Sequence, residues 1–310
     1  MQAIYEQLLI LISTPLYLVI IGLEVLLSNY GRKQVYSWKD TAANVYLMVL
    51  NACVDVSVRT AYLFVLNVFF HYRIFSFGNV IVYWIALVIL EDFLYYWLHR
   101  FDHEVRLFWA VHITHHSSSR LNFSVGFRSS VFQPLYRFVY FIPLALLGFK
   151  PLDIVFIYSI TQIWGILVHT ELVNKMGLLE YVLVTPSHHR VHHASNPKYL
   201  DMNMGMLLIV WDKLFGTFQP ELSVKEYQPL KYGLTTSVQK QTPVTILFHE
   251  WTSIGRDLRR KDISWRQKLY YVFGPPGWSH DGTRMTSQQL RQLESDDLTV
   301  AEITRNNVQA

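Results

Sequence analysis

Long apolar stretches with few charges dominate the first half of the chain. The stretch at 8–27 contains one charged residue, Glu24. About 20 apolar residues in a helix span the hydrocarbon core of a bilayer. No basic segment precedes this stretch and no small-residue cleavage site follows it, which favours an anchor over a signal peptide. Further apolar stretches lie at 45–70, 79–98, 132–149 and 152–168. The pattern predicts an all-α fold, a multi-span helical membrane bundle, in preference to a soluble protein with buried helices.

Two details of these stretches predict how the helices pack. Asn51, Asp55 and Arg59 are four residues apart and therefore share one helix face, so we expect them to pair inside the bundle. The last two stretches are separated only by Lys150 and Pro151, and so short a connection predicts a helical hairpin.

Composition agrees with a membrane protein and excludes several other classes. Of the 310 residues 51% are hydrophobic and 16% are charged, against roughly 25% charged in soluble proteins. The single cysteine, Cys53, excludes an internal disulfide and a zinc site built from several thiolates. The net charge of +4 is too small and too scattered to indicate a nucleic-acid partner.

The basic residues predict the orientation in the membrane. Arg32, Lys33 and Lys39 follow the first apolar stretch, which places that loop in the cytoplasm. The next two spans cross out and back, and the hairpin returns to the side it left. Both histidine-rich segments, at 99–116 and 169–193, are therefore expected to face the cytoplasm.

Histidines are concentrated in one part of the chain, with ten of thirteen between residues 99 and 193. Eight of them occur in three boxes with helical spacing: His99 and His103; His112, His115 and His116; His189, His192 and His193. Histidines at i and i+4 lie on one helix face and can hold one metal ion. A single such pair is often a coincidence, but three boxes at membrane exits favour metal binding. Eight ligands exceed what one four-coordinate zinc needs, so the count predicts two ions.

Two other metal sites are excluded. A zinc peptidase needs two histidines around a glutamate, but His103-Glu104 is followed by Val105, Arg106 and Leu107. A haem would use one or two histidines and leave the others unexplained.

These boxes resemble the fatty acid hydroxylase and sterol desaturase superfamily of membrane di-iron enzymes. The segments from Glu91 to Arg100 and from Trp211 to Phe218 are similar to the family's run into the first box and to its closing motif. Within the superfamily, three segments resemble the alkylglycerol monooxygenase branch, namely Thr185–His193, His169-Thr-Glu171 and Phe273–Trp278. The resemblance covers roughly residues 70–278. It implies three parts: N-terminal transmembrane helices at 1–78, a fatty acid hydroxylase catalytic domain at 79–220, and a polar C-terminal cytoplasmic region at 221–310.

The resemblance implies that the eight box histidines are iron ligands, with His169 and His188 as further candidates. Some relatives have a second histidine four residues after the position of His169, where this chain has Val173. Either one iron has an open coordination position or His188 fills it. If His169 is not a ligand, we expect it to be a buried, hydrogen-bonded histidine.

The spacing of polar residues from the boxes predicts which of them orient these ligands. Asp92 lies two turns before His99 on the same face, where a carboxylate can accept the second ring N–H of a ligand. We assign the same role to Glu171 for His169, and to Asp201 or Asn203 for the last box. We name Asp92, Glu171 and Asn203 as the catalytic-site candidates, whereas Asp212 is equally consistent with a structural role.

The resemblance implies an O2-dependent enzyme with two Fe ions that hydroxylates a C–H bond of a lipid from the membrane. In the alkylglycerol branch, hydroxylation beside the ether oxygen yields an aldehyde and a glycerol derivative, with tetrahydrobiopterin as electron donor. No pterin motif is recognisable in the sequence. One alternative is a sterol or fatty acyl desaturase or hydroxylase with another electron donor. A different class, a histidine-rich divalent-metal transporter, would need ligands near the middle of the spans, whereas these boxes lie just beyond span ends.

Overall fold

A computed structural model describes residues 17–31, 34–236 and 242–296. Half of the first predicted span, and the basic residues Arg32 and Lys33, lie outside these residues. The described part of the chain is helical and contains no strand, only two isolated bridges. The predicted all-α class is confirmed.

Eleven α-helices follow one another along the described residues. They are α1 Tyr17–Tyr30, α2 Trp38–His71, α3 Val80–Glu104, α4 Arg106–His116, α5 Ile142–Leu146, α6 Pro151–Leu167, α7 Pro186–His193, α8 Val210–Phe215, α9 Pro243–Leu258, α10 Trp265–Phe273 and α11 at 287–296. Short 3-10 turns connect several of them.

The two longest helices, α2 and α3, are long and apolar enough to cross a membrane. Large apolar side chains are exposed on the surface of both helices, including Val56 and Phe64 on α2 and Ile81 and Ile85 on α3. The polar face expected in α2 is confirmed in part. Arg59 pairs with Asp55 at 2.7 Å, but Asn51 donates to the backbone oxygen of Ser130 at 2.6 Å instead.

The predicted helical hairpin at 132–168 is wrong in its first half. Residues 133–146 form two 3-10 turns and the five-residue helix α5, while the second half forms the regular helix α6. Pro134 and Pro143 lack a backbone N–H, which interrupts a continuous helix. The apolar run therefore folds inward against the bundle. Phe141 and Leu144 are buried in one cluster with Tyr62 and Leu66 of α2.

One residue, Val105, separates α3 from α4. Its extended backbone (φ −115°, ψ 116°) ends the first helix and changes the direction of the chain. The buried Arg106 side chain then ties α4 to the C-terminal helices. Its guanidinium donates to Glu250 and Asp257 at 2.6 Å each, and to the Tyr271 carbonyl at 3.2 Å. Helices α9 and α10 thus support the helix that carries the second histidine box.

Candidate metal centre

The structure brings nine of the ten candidate histidines together in two adjoining clusters. The ligand atoms within each cluster lie within 4.8 Å of one another. The first cluster contains His99, His103, His112, His116 and His192. The second cluster contains His115, His169, His189 and His193.

Helix geometry decides how each box divides between the clusters. In α4, His112 and His116 lie one turn apart and face the first cluster, while His115 between them faces the second. In α7, His189 and His193 face the second cluster and His192 faces the first. Each i, i+4 pair therefore serves one cluster, because residues four apart share a helix face.

In the first cluster, most outer ring nitrogens have oxygen partners. The Nδ1 atom of His99 lies 2.7 Å from the Met204 carbonyl oxygen, and that of His192 lies 3.0 Å from the Met202 carbonyl oxygen. His103 Nδ1 lies 3.1 Å from a carboxylate oxygen of Asp201. A carbonyl or carboxylate only accepts, so Nδ1 carries the proton in these rings. The Nε2 atom of each of these rings is then unprotonated and presents a lone pair.

In the second cluster, backbone carbonyls orient two of the four rings. His169 Nδ1 lies 2.6 Å from the Gly165 carbonyl oxygen, and His115 Nδ1 lies 3.1 Å from that of Arg128. Among the described residues, His189 Nδ1 has no hydrogen-bond partner. A side chain at Gly165 would overlap Met206, since a Cβ there would lie 2.4 Å from its sulfur. The close approach of this turn of α6 therefore depends on glycine.

The Nε2 atoms converge on one another. In the first cluster, His112 Nε2 lies 3.1 Å from Nε2 of both His99 and His116. In the second, Nε2 of His169 lies 3.1 Å from that of His115, 2.9 Å from that of His189 and 3.1 Å from that of His193. Where Nδ1 holds the proton, two facing Nε2 lone pairs repel and cannot hydrogen-bond each other.

A cation between the rings resolves this repulsion, so the residues fit a metal ion. Two nitrogens about 2.1 Å from one ion and at right angles to each other are about 3.0 Å apart, close to the separations seen here. The Nε2 atoms of His103 and His192 are buried and have no hydrogen-bond partner among the described residues. Metal ligation would satisfy both.

Burial keeps seven of the clustered rings neutral. It lowers the pKa of seven histidines outside α3: His112, His115, His116, His169, His189, His192 and His193. The pKa of His169 falls to about 4. Removing an imidazolium from water is costly, and most of these rings also face one another. Neutral imidazole is the form that binds metals.

His188 lies outside both clusters. Its Nδ1 lies 3.3 Å from the backbone nitrogen of Thr185, which it caps at the start of α7, and its ring packs against Phe218. Because Nδ1 accepts this N–H, His188 serves the helix terminus in this structure. The position next to the second cluster, left open by Val173, is not occupied by His188.

Two of the three catalytic-site candidates, Asp92 and Asn203, have hydrogen-bond partners other than the expected ring nitrogens. Asp92 accepts from the backbone nitrogens of Leu207 and Leu208 at 2.9 and 3.0 Å, and from Trp211 Nε1 at 2.9 Å. It thus holds the loop before α8 and touches no histidine ring nitrogen within hydrogen-bond distance.

Asn203 and Glu171 also lie beside the site. Asn203 has a positive φ of 55° and donates to the backbone oxygens of His188 and Gln219 at 3.0 and 2.8 Å. Glu171 is half-buried near Tyr232, where it adds to the effect of burial in raising the pKa of that phenol. Asp201 contacts His103 of the first box, not the last box.

Asp212 has a structural role in the same loop. Its carboxylate accepts from the backbone nitrogens of Met204 and Gly205 at 2.6 and 2.8 Å, and from the Thr217 hydroxyl at 2.7 Å. Burial raises the pKa of Asp212 to about 6. Because Met204 accepts the His99 N–H, Asp212 orients that ring through the loop.

Two buried residues of the site escaped the sequence analysis. Asp102 is fully buried with one oxygen 3.8 Å from His112 Nδ1, and it accepts from the Tyr136 hydroxyl at 2.7 Å. Its position inside the first box, next to His103, could have indicated that it belongs to the site. Arg128 is also fully buried and bonds Asp40 and Asn44 of α2 while its carbonyl faces His115. No local pattern indicates such a contact.

Residues 84–217 match the family model described as fatty acid hydroxylase. Every clustered histidine falls within this range. This region is a fatty acid hydroxylase domain. The resemblance on which the sequence analysis relied is thereby confirmed for the part of the chain that carries the site.

Three curated relatives are similar to more of the chain than the fatty acid hydroxylase domain. An alkylglycerol monooxygenase of Xenopus tropicalis is 30% identical over 92% of this chain and 63% of its own length. Those of Homo sapiens and Danio rerio are 36% and 40% identical over 69% and 70% of this chain, and over 47% of their own lengths. This chain thus spans about half to two thirds of these relatives. No solved structure matches it at a significant level.

Proposed function

We propose that the protein is a membrane-bound, O2-dependent di-iron monooxygenase that hydroxylates a C–H bond of a lipid. The observation that carries this proposal is the convergence of nine buried histidines in two clusters inside a fatty acid hydroxylase domain. Each cluster would hold one iron ion. When bound, the iron pair would supply O2 activation, and the protein's contribution is to hold the rings neutral, oriented and away from bulk water.

The two clusters have unequal numbers of ligands, which favours an open position in the second. The first offers five nitrogens and the second four. Catalytic metal sites in proteins retain a position for a non-protein ligand. His115, His169 and His189 line a cavity of about 40 Å³, together with His99 and His112 of the first cluster. The cavity reaches rings of both clusters, so we assign O2 and substrate access to the second cluster on its smaller number of ligands.

For the substrate we propose an ether lipid, because of the similarity to alkylglycerol monooxygenases. Insertion of one oxygen atom beside the ether oxygen gives a hemiacetal, and the other atom leaves as water with two electrons and two protons. The hemiacetal collapses to an aldehyde and a glycerol derivative. We propose tetrahydrobiopterin as the electron donor on the same grounds.

The membrane placement is also a proposal. We infer a multi-pass protein with the histidines at the cytoplasmic face. Helices α2 and α3 have the length and apolar surface of membrane spans, and the histidines of α3 lie in its last two turns. A lipid could then reach the site from the bilayer without crossing water.

The test is an assay of purified protein in detergent. The iron-loaded protein is incubated with 1-O-hexadecylglycerol, a tetrahydropterin and O2, and fatty aldehyde is trapped and measured. We expect aldehyde that depends on iron, O2 and pterin together. Oxidation of sterols or fatty acyl lipids alone would support the alternative within the superfamily. Metal binding without any O2-dependent product would support a transporter.

A further inference from the structure

Two cavities meet at Arg137, in the segment between the second and third boxes. One is the cavity beside the histidines, which Tyr95, Gln162 and Gly165 also line. The other lies between α2, α6 and the turns at 133–141. Gln133 and Arg137 line both. These two side chains therefore lie between the metal centre and the cavity in the interior of the bundle, and we call this place the neck.

The second cavity has both polar and apolar lining. Its polar residues are Asn51, Asp55 and Tyr158, of which Tyr158 contacts Arg137, and its apolar residues include Leu66, Ile154 and Val155. Ile154 precedes His169 by fifteen residues along and just beyond α6. At about 1.5 Å per helical residue, the apolar end lies roughly 20 Å from the histidines. That distance and lining suit an alkyl chain and leave the polar end of a lipid at the neck.

Arg137 has N–H groups to spare at this neck. Its Nη1 donates to the Tyr158 hydroxyl at 2.6 Å. With the Gln133 amide turned so that its oxygen faces Arg137, that oxygen accepts from Nη2 and, at 3.2 Å, from Nε. These bonds use three of the five N–H donors of a guanidinium. Asp102 interacts electrostatically with Arg137, so the cation does not require an anionic ligand.

A second donor lies on the histidine side of the neck. The Gln162 amide nitrogen is buried in a side chain that lines the cavity beside the histidines; it faces the Tyr95 hydroxyl but makes no well-formed hydrogen bond with any described residue. A buried donor without an acceptor costs about 1–3 kcal/mol. An oxygen atom of a bound molecule would satisfy it.

We propose that Arg137 and Gln162 select lipids that carry oxygen at the junction of a single alkyl chain and a small uncharged polar head. Arg137 donates to the ether oxygen beside the reacting carbon, and Gln162 donates to a hydroxyl of the head. The alkyl chain lies in the cavity between α2 and α6. Both are positioning residues that act on the substrate, and this inference rests on the function proposed above.

The experiment measures binding separately from turnover. Radiolabelled 1-O-hexadecylglycerol and icosane-1,2-diol, in which a methylene replaces the ether oxygen, are titrated into metal-loaded full-length protein in detergent under argon. A hydrogen bond from a charged donor predicts that the ether binds about 10-fold tighter or more. In Arg137→Gln this preference should fall below about 3-fold, with the metal content unchanged.

Matched variants separate this role from a structural one. Arg256→Gln changes an exposed arginine on α9 and should keep the full preference. Gln162→Leu should weaken binding of both ligands by about 5-fold, because both carry the head hydroxyls. It should keep the ether preference and the metal content. This variant tests the proposal even if Arg137→Gln does not fold.

The outcomes distinguish the inference from the proposed function. Equal affinity of the wild-type protein for the two ligands, or a preference that survives in Arg137→Gln, would overturn the inference even if fatty aldehyde is formed. An Arg137-dependent preference without aldehyde formation would support the lipid site and contradict the proposed reaction.

Discussion

The two histidine clusters lie side by side but are built differently. In the first, three of the five rings are oriented through Nδ1, two by backbone carbonyls and one by the Asp201 carboxylate, and an Asp102 oxygen lies 3.8 Å from Nδ1 of a fourth. In the second, two of the four rings are oriented by backbone carbonyls, and among the described residues no carboxylate hydrogen-bonds to any of them. His116 and His193 stack with ring centroids 4.5 Å apart at the boundary.

This difference suggests that the two clusters have different roles in binding metal and exchanging ligands. A carboxylate that accepts a ring N–H makes the imidazole more basic and fixes its orientation, which strengthens metal binding. The first cluster therefore has the features of a tightly held, nearly saturated site. The second has fewer ligands and weaker outer support, which are the features of a site that exchanges ligands.

The largest expected effect comes from removing one ligand on each side of the boundary. We expect His116→Ala and His193→Ala to reduce aldehyde formation at least about 100-fold, more than losses typical of outer-shell partners. Metal analysis should distinguish them. His193→Ala leaves three ligands and should lose about one ion per chain, while His116→Ala leaves four and should retain most of its metal.

The matched control is His188→Gln, which changes a neighbouring histidine outside both clusters. Its metal content and activity should stay within about 2-fold of the wild-type values, with stability lower by about 1 kcal/mol from the weakened helix cap. Loss of an ion in His188→Gln would show that His188 completes the second cluster. Equal metal loss in the two alanine variants would remove the proposed asymmetry.

A smaller effect is expected from Asp201→Asn. The amide cannot accept the His103 N–H as strongly as the carboxylate does, so metal affinity of the first cluster should fall about 10- to 100-fold. Competition with a chelator, followed by metal analysis, measures this change. The second cluster has no carboxylate partner among its described contacts and should release its ion at the wild-type rate. If both ions become equally labile, the clusters are coupled and not separately supported.

The smallest effect concerns pH. The pKa of His169 is about 4 in the folded, metal-free protein and about 6.5 in an unfolded chain. Between these values the unfolded chain binds the proton and the folded protein does not, so stability falls as the pH decreases from about 6.5 to 4. Between pH 7 and pH 5 we expect a loss on the order of 2 kcal/mol.

Urea unfolding of the metal-free protein in detergent at pH 7 and pH 5 measures this loss. His169→Leu should show a smaller dependence than the wild type, and His188→Gln should keep most of it. An unfolding free energy that does not change between these pH values would mean that His169 is protonated or exposed in the folded protein.

Local patterns predicted the parts of the site that lie within one helix. The i, i+4 pairs His112 with His116 and His189 with His193 each serve one cluster, as helical geometry requires. The same reasoning failed for Asp92. Its spacing from His99 was suitable, but its carboxylate meets the backbone nitrogens of Leu207 and Leu208, more than a hundred residues away. Nothing in the spacing of α3 indicates that loop.

The length of an apolar stretch also predicted only some of the helices. The stretches at 45–70 and 79–98 became continuous helices because no proline interrupts them, whereas 132–149 did not. Its composition satisfied the length rule, but Pro134 and Pro143 break the backbone pattern. Hydrophobicity predicts burial in protein or lipid, and backbone hydrogen bonding decides whether the buried segment is one helix.

The sequence by itself determined the helical class, the domain family and the histidines that share a helix face. These follow from the local period of 3.6 residues and from the number of ligating side chains, neither of which needs the rest of the molecule. The tertiary structure alone decided that His169 completes the second cluster and that His188 does not. It also placed Asp102, Asp201 and Arg128 beside the rings. Those contacts depend on how α2, α3, α6 and the loop before α8 pack, and packing joins residues that no sequence interval relates.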